Sequence, residues 1–224
     1  VPVGPTGAAL GCASSAGDGE VEPDAGPAWR IAASYAAVAT ELGFEDRDFD
    51  LRRRAAVATL ERRLGDAWTV QLGGGLAIDG DLEHDGRRFE IEPGFVALAS
   101  GAFRALAGEG DEPFLMFGLT VSASSAPTSE AGTGVEAPLT AFDARFSLLV
   151  GKLLAGAIAP YAAVRAFGGP VLWELDGEDV VGGDRNHYQI GAGVLVTAGG
   201  LFDAYVEVTP LGERSATLGA AVSF

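Results

Sequence analysis

His84 and His187 are the only histidines in the chain, and imidazole is the side chain best suited to general-base work near neutral pH. His84 sits in the acidic run Asp79-Gly80-Asp81-Leu82-Glu83-His84-Asp85-Gly86. Carboxylates repeated at alternate positions offer hard oxygen ligands to calcium or magnesium. Asp81, Glu83, Asp85 and Glu92 even take positions one, three, five and twelve of a twelve-residue calcium loop. Yet position three is Glu, Arg88 stands where an apolar residue is usual, and Phe89-Glu90-Ile91-Glu92 alternates like a strand. A looser divalent site built from Asp79, Asp81, Glu83 and Asp85 is the chemistry this run could support, with a solvated acidic loop as the plain alternative. Glu174, Asp176, Glu178 and Asp179 form a similar cluster further on. His187 lies in Asn186-His187-Tyr188-Gln189 with no serine or cysteine beside it. Hydrolysis at either histidine would need a nucleophile or an activated water within reach. Cys12 has no activating neighbour, and Gly73-Gly74-Gly75 lies inside an alternating segment with no helix after it, which excludes a phosphate-binding loop. No catalytic residue and no organic cofactor is assigned.

Composition narrows the classes further. The chain has 224 residues with 31 acids against 15 bases, a net charge of −16. Such a chain repels nucleic acid and attracts cations and basic partners. A mean hydropathy of +0.23 comes without any apolar run long enough for a membrane-spanning helix, so the apolar residues are dispersed. A single cysteine excludes an internal disulfide framework.

The elements that must position these residues are strands. Residues 1–26 are Gly, Ala, Pro and acid without periodicity and read as a flexible leader; from Trp29 onward the dominant period is two. In 67–82, Trp68, Val70, Leu72, Leu76 and Ile78 share one parity, and Thr69, Gln71, Ala77 and Asp79 the other. About ten strands follow, over 27–41, 51–64, 66–80, 88–105, 112–125, 138–152, 156–175, 186–198, 201–210 and 214–224. Short turns at 64–66, 107–111, 151–155 and 198–200 alternate with longer acidic connections at 41–50, 79–87, 126–137 and 176–185; the last connection, 211–214, is short.

On the apolar parity, Trp29, Trp68, Phe103, Phe202 and Phe224 gather at the short-turn ends, and Phe89, Phe142 and Tyr188 at the opposite ends. Two aromatic belts are what a membrane-spanning barrel requires at its two interfaces. The other parity then lines a lumen with Arg30, Gln71, Glu90, Glu92, Arg104, Asp143, Arg145, Arg165, Gln189, Asp203, Tyr205 and Glu207. Both charge signs occur there, which favours a cross-linked interior over a one-sign pore. Trp173 has the wrong parity for a lipid-facing ring unless Gly168-Gly169-Pro170 resets the register. A soluble lipocalin-like barrel is the competing architecture.

The strand 214–224, ending on Phe224, resembles the closing strand of bacterial outer-membrane β-barrels. With the belts, the loop asymmetry and the Ala159-Pro160-Tyr161 turn-to-strand segment, the chain from 27 to 224 is similar to the small members of that superfamily. The resemblance implies an all-β, closed up-and-down antiparallel transmembrane barrel in the bacterial outer membrane, with residues 1–26 on the periplasmic side. It also implies contact with outer-membrane lipid and lipopolysaccharide, and with the barrel assembly machinery during biogenesis. The superfamily contains anchors, adhesins, narrow pores and a few enzymes. Asn186-His187-Tyr188-Gln189 resembles the His-x-Ser strand of outer-membrane lipid A deacylases, but Gln189 stands in the nucleophile's place. The acids and histidine of omptin-type proteases find no counterpart at matching spacing. The expected function is therefore a non-enzymatic structural or binding barrel acting through acidic extracellular loops, in contact with an extracellular or envelope partner; a narrow passive pore is the alternative.

Overall fold

The computed structural model describes residues 28–108, 110–131 and 136–224. The expected leader, with Cys12, lies outside them. The chain forms β1 (Trp29–Phe44), β2 (Arg47–Leu64), β3 (Trp68–His84), β4 (Arg87–Ile91), β5 (Gly94–Ala107), β6 (Phe114–Glu130), β7 (Glu136–Gly151), β8 (Ile158–Gly168), β9 (Pro170–Leu175), β10 (Glu178–Asp184), β11 (Tyr188–Ala198), β12 (Phe202–Gly212) and β13 (Arg214–Ser223). All pair antiparallel within one sheet. β4 and β5 are two halves of one crossing, because β3 and β6 run on unbroken beside both, and β8 and β9 are two halves of another, because β7 does; β10 and β11 follow that crossing back, pairing with β9 and β8 in turn. Ten crossings therefore build the wall. β13 pairs with β1 from Arg30↔Ser223 to Ala39↔Arg214, which closes the ring. Trp29 and Phe224 exchange backbone hydrogen bonds of 3.2 and 2.9 Å, so the last residue is held on the wall.

The wall narrows on the way up from this end. The β12–β13 hairpin turns at Gly212–Glu213, and above it β1 pairs directly with β10 through Leu42↔Asp184, Gly43↔Gly183 and Phe44↔Gly182. The lower barrel thus has ten strands and the upper barrel eight. Eight strands leave an interior that side chains alone can fill.

Three of the connections expected to be long acidic loops are not loops. β1 and β2 are joined by Glu45–Asp46, β3 and β4 by Asp85–Gly86, and β9 and β10 by Asp176–Gly177. Glu45, Asp85 and Asp176 have φ of 53°, 45° and 55°, and Gly86 and Gly177 both have φ of 81°. At Asp85–Gly86 and Asp176–Gly177 both central residues have positive φ, which is the two-residue hairpin turn whose twist matches the flanking strands, and Asp-Gly is its sequence signal. The acids of these segments therefore ride on strands. At 18 residues, β2 climbs roughly 47 Å along the barrel axis, far beyond an apolar band of about 25 Å.

That excess length explains the side-chain pattern. In the lower barrel the exposed face is apolar: Ile31, Leu60, Leu72, Leu76, Leu119, Phe146, Val164, Val206 and Leu218 all point outward. Its interior carries Arg30, Glu61, Gln71, Arg145, Arg165 and Glu207. In the upper barrel the sense inverts. Asp48, Asp50, Arg88, Glu90 and Glu174 are exposed. Leu42, Phe44, Phe49, Leu51, Leu82, Phe89, Ile91, Trp173 and Leu175 form a closed interior cluster. The alternation of in and out is continuous, but the outer solvent changes from hydrocarbon to water, so apolar residues move from one face to the other. Two expectations are corrected by this inversion: Phe89 points inward rather than to an interface, and Glu90 points outward rather than into the lumen. Trp173 needs no register reset, since Arg165, Phe167, Val171, Trp173 and Leu175 all lie on the buried face.

Candidate functional site

The lumen is the first place to look for chemistry. Arg165 on β8 grips Glu207 on β12 with two parallel bonds of 2.6 and 2.8 Å. Arg145 on β7 donates to the amide oxygen of Gln189 at 2.9 Å and pairs with Glu213 and Asp143 at 3.3 and 3.4 Å. Its guanidinium also stacks on the Phe167 ring, 4.2 Å from the centroid. Gln189 donates in turn to Glu213 at 2.6 Å. A second network lies near the chain ends. There Arg30 pairs with Asp203 at 2.7 Å and Glu61 at 3.5 Å, Thr197 donates to Asp203, and Ser100 and Gln71 link on to Glu61. These charges are all buried. They persist there because each cation meets a carboxylate and each carboxylate a donor.

Above and below this layer apolar side chains pack inside the wall. In the upper barrel Trp173 is the centre, with Phe89, Phe49 and Phe44 at centroid distances of 4.9, 5.2 and 5.4 Å. Two of these contacts are edge-to-face at 84°, the arrangement aromatic quadrupoles prefer. The indole N–H donates to Thr128 Oγ1 at 2.9 Å, so the ring is buried without an orphaned donor. At the lower end Phe114, Met116, Leu149, Tyr161, Leu195 and Tyr205 pack together on the β6, β7, β8, β11 and β12 side.

Of the twelve residues expected in the lumen, Arg30, Gln71, Asp143, Arg145, Arg165, Gln189, Asp203, Tyr205 and Glu207 are buried in it. Arg104 lies at the lower mouth, where its Nη2 donates to the Asp66 carbonyl at 2.5 Å. Glu92 is half-buried at the break between β4 and β5, and Glu90 is outside. Glu61 and Glu213 complete the networks without having been singled out. Glu61 could have been found, because it shares the inward face of β2 with Val57. Glu213 could not, because nothing local shows that its turn is embedded in the wall. Of the expected interface aromatics, Trp29, Trp68, Phe142, Tyr188, Phe202 and Phe224 are exposed on the outer wall, and Phe103 is partly exposed beside Trp68 at 4.9 Å.

The acidic run does not converge on a cation. Asp79 accepts two bonds from Arg54, one of 2.6 Å. Arg88 lies 3.6 Å from both Asp81 and Glu83, and Asp85 is 3.6 Å from His84 Nε2. Residues 81–92 run as two paired strand arms and not as a ligating loop. No group of three or more metal-ligating side chains occurs among the described residues. His84 has its Nδ1 2.6 Å from the Asp48 carbonyl and its ring 4.7 Å from Phe49. His187 is exposed, and its backbone carbonyl accepts from Phe167.

No protein-family model matches the chain, and no curated protein matches it in sequence. Solved structures do. The outer-membrane protease OmpT of Escherichia coli superposes with a TM-score of 0.55 at 9% identity, over 93% of this chain and all (100%) of that one. The translocator domain of the autotransporter NalP of Neisseria meningitidis gives 0.51 at 14% identity, over 97% of this chain and 94% of the other. At these identities the likeness is one of fold. With the outward apolar belt it makes the chain a barrel of the outer-membrane kind.

Proposed function

We propose that this protein is a non-conducting, non-enzymatic outer-membrane barrel whose rigid, charged upper part acts as a binding surface outside the membrane. The observation that carries this reading is the filled lumen: an aromatic cluster above and a paired-charge layer below it. The upper hairpins add the second half. Their turns are tight, and the rim they form exposes Glu45, Asp46, Asp48, Asp50, Asp85, Asp176, Glu178 and Asp179. A surface of this sign draws cationic partners and gives an association rate that falls with salt. His84 is engaged by the Asp48 carbonyl and lies 3.6 Å from Asp85, and His187 is exposed.

The test is heat-modifiable gel migration of membrane fractions, followed by conductance of the purified protein in planar bilayers. A heat-sensitive band with no steady conductance is expected. Steady single-channel steps would overturn the sealed-barrel reading in favour of a pore, and a protein recovered only in the soluble fraction would overturn the membrane placement.

A further inference from the structure

One buried cation stands outside both charge networks. Arg53 faces inward from β2 and is only 5% exposed. Along that strand it lies between Leu51, which belongs to the upper aromatic cluster, and Val57, which packs with Ala77 and Val96. Its one hydrogen bond among the described residues runs from Nη1 to Ser124 Oγ on β6, at 3.1 Å. Nε and Nη2 are buried with no partner there. The interior carboxylates are engaged elsewhere: Glu61 and Asp203 by Arg30, Asp143 and Glu213 by Arg145, and Glu207 by Arg165. Asp79 and Asp81 flank Gly80, the register partner of Arg53, and pair instead with Arg54 and Arg88.

The two unpartnered donors are the parallel pair on one edge of the guanidinium. In adjacent Arg54 the same edge, Nε with Nη2, grips both oxygens of Asp79. In Arg53 that edge is open. A guanidinium keeps its charge inside a protein, so burial cannot be relieved by loss of a proton. A desolvated cation with one neutral partner is far more costly than a paired one. A negative charge on the open edge offsets that cost, as Glu207 does for Arg165. The surroundings favour a small one. Val38 and Gly80 stand beside Arg53 in register, and the inward row beneath is Ala36, Ala55, Ala77 and Gly94. No side chain in that row is larger than a methyl group.

We propose that the Nε–Nη2 edge of Arg53 binds a small inorganic anion of halide size, held inside the barrel as the counter-charge of this arginine. Two parallel charge-assisted N–H donors suit a single monatomic acceptor as well as they suit a carboxylate. The site lies apart from the acidic rim and does not depend on what the rim binds.

The experiment has two parts, both on the full chain in detergent. Crystals grown in bromide are measured at the bromine absorption edge, and urea unfolding is followed as chloride replaces gluconate at constant ionic strength. An anomalous peak is expected in contact with Nε and Nη2 of Arg53. The unfolding constant is expected to fall by about tenfold for each tenfold rise in chloride above its dissociation constant. Arg53→Met keeps the length of the side chain without its charge, and should lose both the peak and this chloride dependence. The wild-type measurements decide the question even if that variant does not fold. No peak at Arg53, or an ordered water in its place, would overturn the site. A peak without any chloride effect on unfolding would mark an adventitious ion only and overturn it equally, as would a chloride effect that survives in the folded variant. Steady conductance would sink the sealed-barrel reading and leave both of these readouts standing.

Discussion

At the scale of single residues, the Arg165–Glu207 pair is the clearest case of chemistry dictated by place. Both side chains are almost entirely buried, on facing strands, with two short charge-assisted bonds between them. Desolvating two charges is costly, and only mutual pairing keeps them both ionised in a closed lumen. Glu207→Ala leaves a buried guanidinium with only a long contact to Gln189. Unfolding of the barrel in urea should then cost about 3–5 kcal/mol less. The double change Arg165→Met/Glu207→Leu removes both charges and should recover most of that loss. If the single change proves as mild as a surface substitution, water reaches this layer and the lumen is not sealed. Arg165, Gln189 and Glu207 were legible from alternation alone, since each falls on the parity opposite a run of apolar residues. Glu90 and Phe89 were misread because the alternation was given one sense throughout. Above the lipid belt the outer solvent is water, and the same pleat then turns Phe89 in and Glu90 out.

At the scale of elements, the upper hairpins are tied to one another by side chains at their turns. Arg87 at the start of β4 donates to both oxygens of Asp176 in the β9–β10 turn, at 2.8 and 3.2 Å, and to Glu130 at the top of β6. Arg47 at the start of β2 reaches the same Asp176 at 3.4 Å. The hydrogen bonds from Arg87 hold the Asp176 carboxyl below its ordinary value. A carboxyl whose folded pKa is depressed contributes stability above its unfolded pKa, near about 3.9, and loses that contribution as pH falls through the folded value below it. Cross-links between the hairpin tips should therefore be intact at neutral pH and loosen only in acid below about pH 4. Asp176→Asn should loosen them at pH 7 as well. Amide exchange at the tips of β2, β4 and β9 reads both effects; identical exchange in wild type and variant would show that the turns hold themselves. Sequence patterns carried the number of crossings but not the shape of these tips. Asp85-Gly86 and Asp176-Gly177 are hairpin signals, yet the acids around them read more readily as loop. The shortness of the β12–β13 hairpin was visible as a short connection, but its consequence was not, because it depends on β1 and β10 meeting above it.

At the scale of the whole molecule, one wall serves two solvents, and its three tryptophans report on both. Trp29 and Trp68 lie outside at the lower interface, 38% and 54% exposed, whereas Trp173 is 3% exposed at the centre of the upper cluster. If the apolar belt is the membrane-embedded part, the first two rings sit among lipid and the third is screened by protein on every side. In vesicles of brominated phospholipid, wild-type fluorescence should be strongly quenched. The double change Trp29→Phe/Trp68→Phe leaves only Trp173, and that emission should respond neither to brominated lipid nor to iodide in the water. Trp173→Phe should leave the lipid-quenched part intact, since it removes only the protected ring. Were the emission of Trp173 quenched by lipid as strongly as that of wild type, the upper cluster would have to face the bilayer. The inversion of inside and outside along the strands would then fail, and with it the seal across the lumen. Quenching of Trp173 by iodide alone would instead admit water to the upper barrel while leaving the membrane belt where it is. The two quenchers thus test the solvent on each side of the wall separately, and the wall's pattern of side chains makes a definite statement about both.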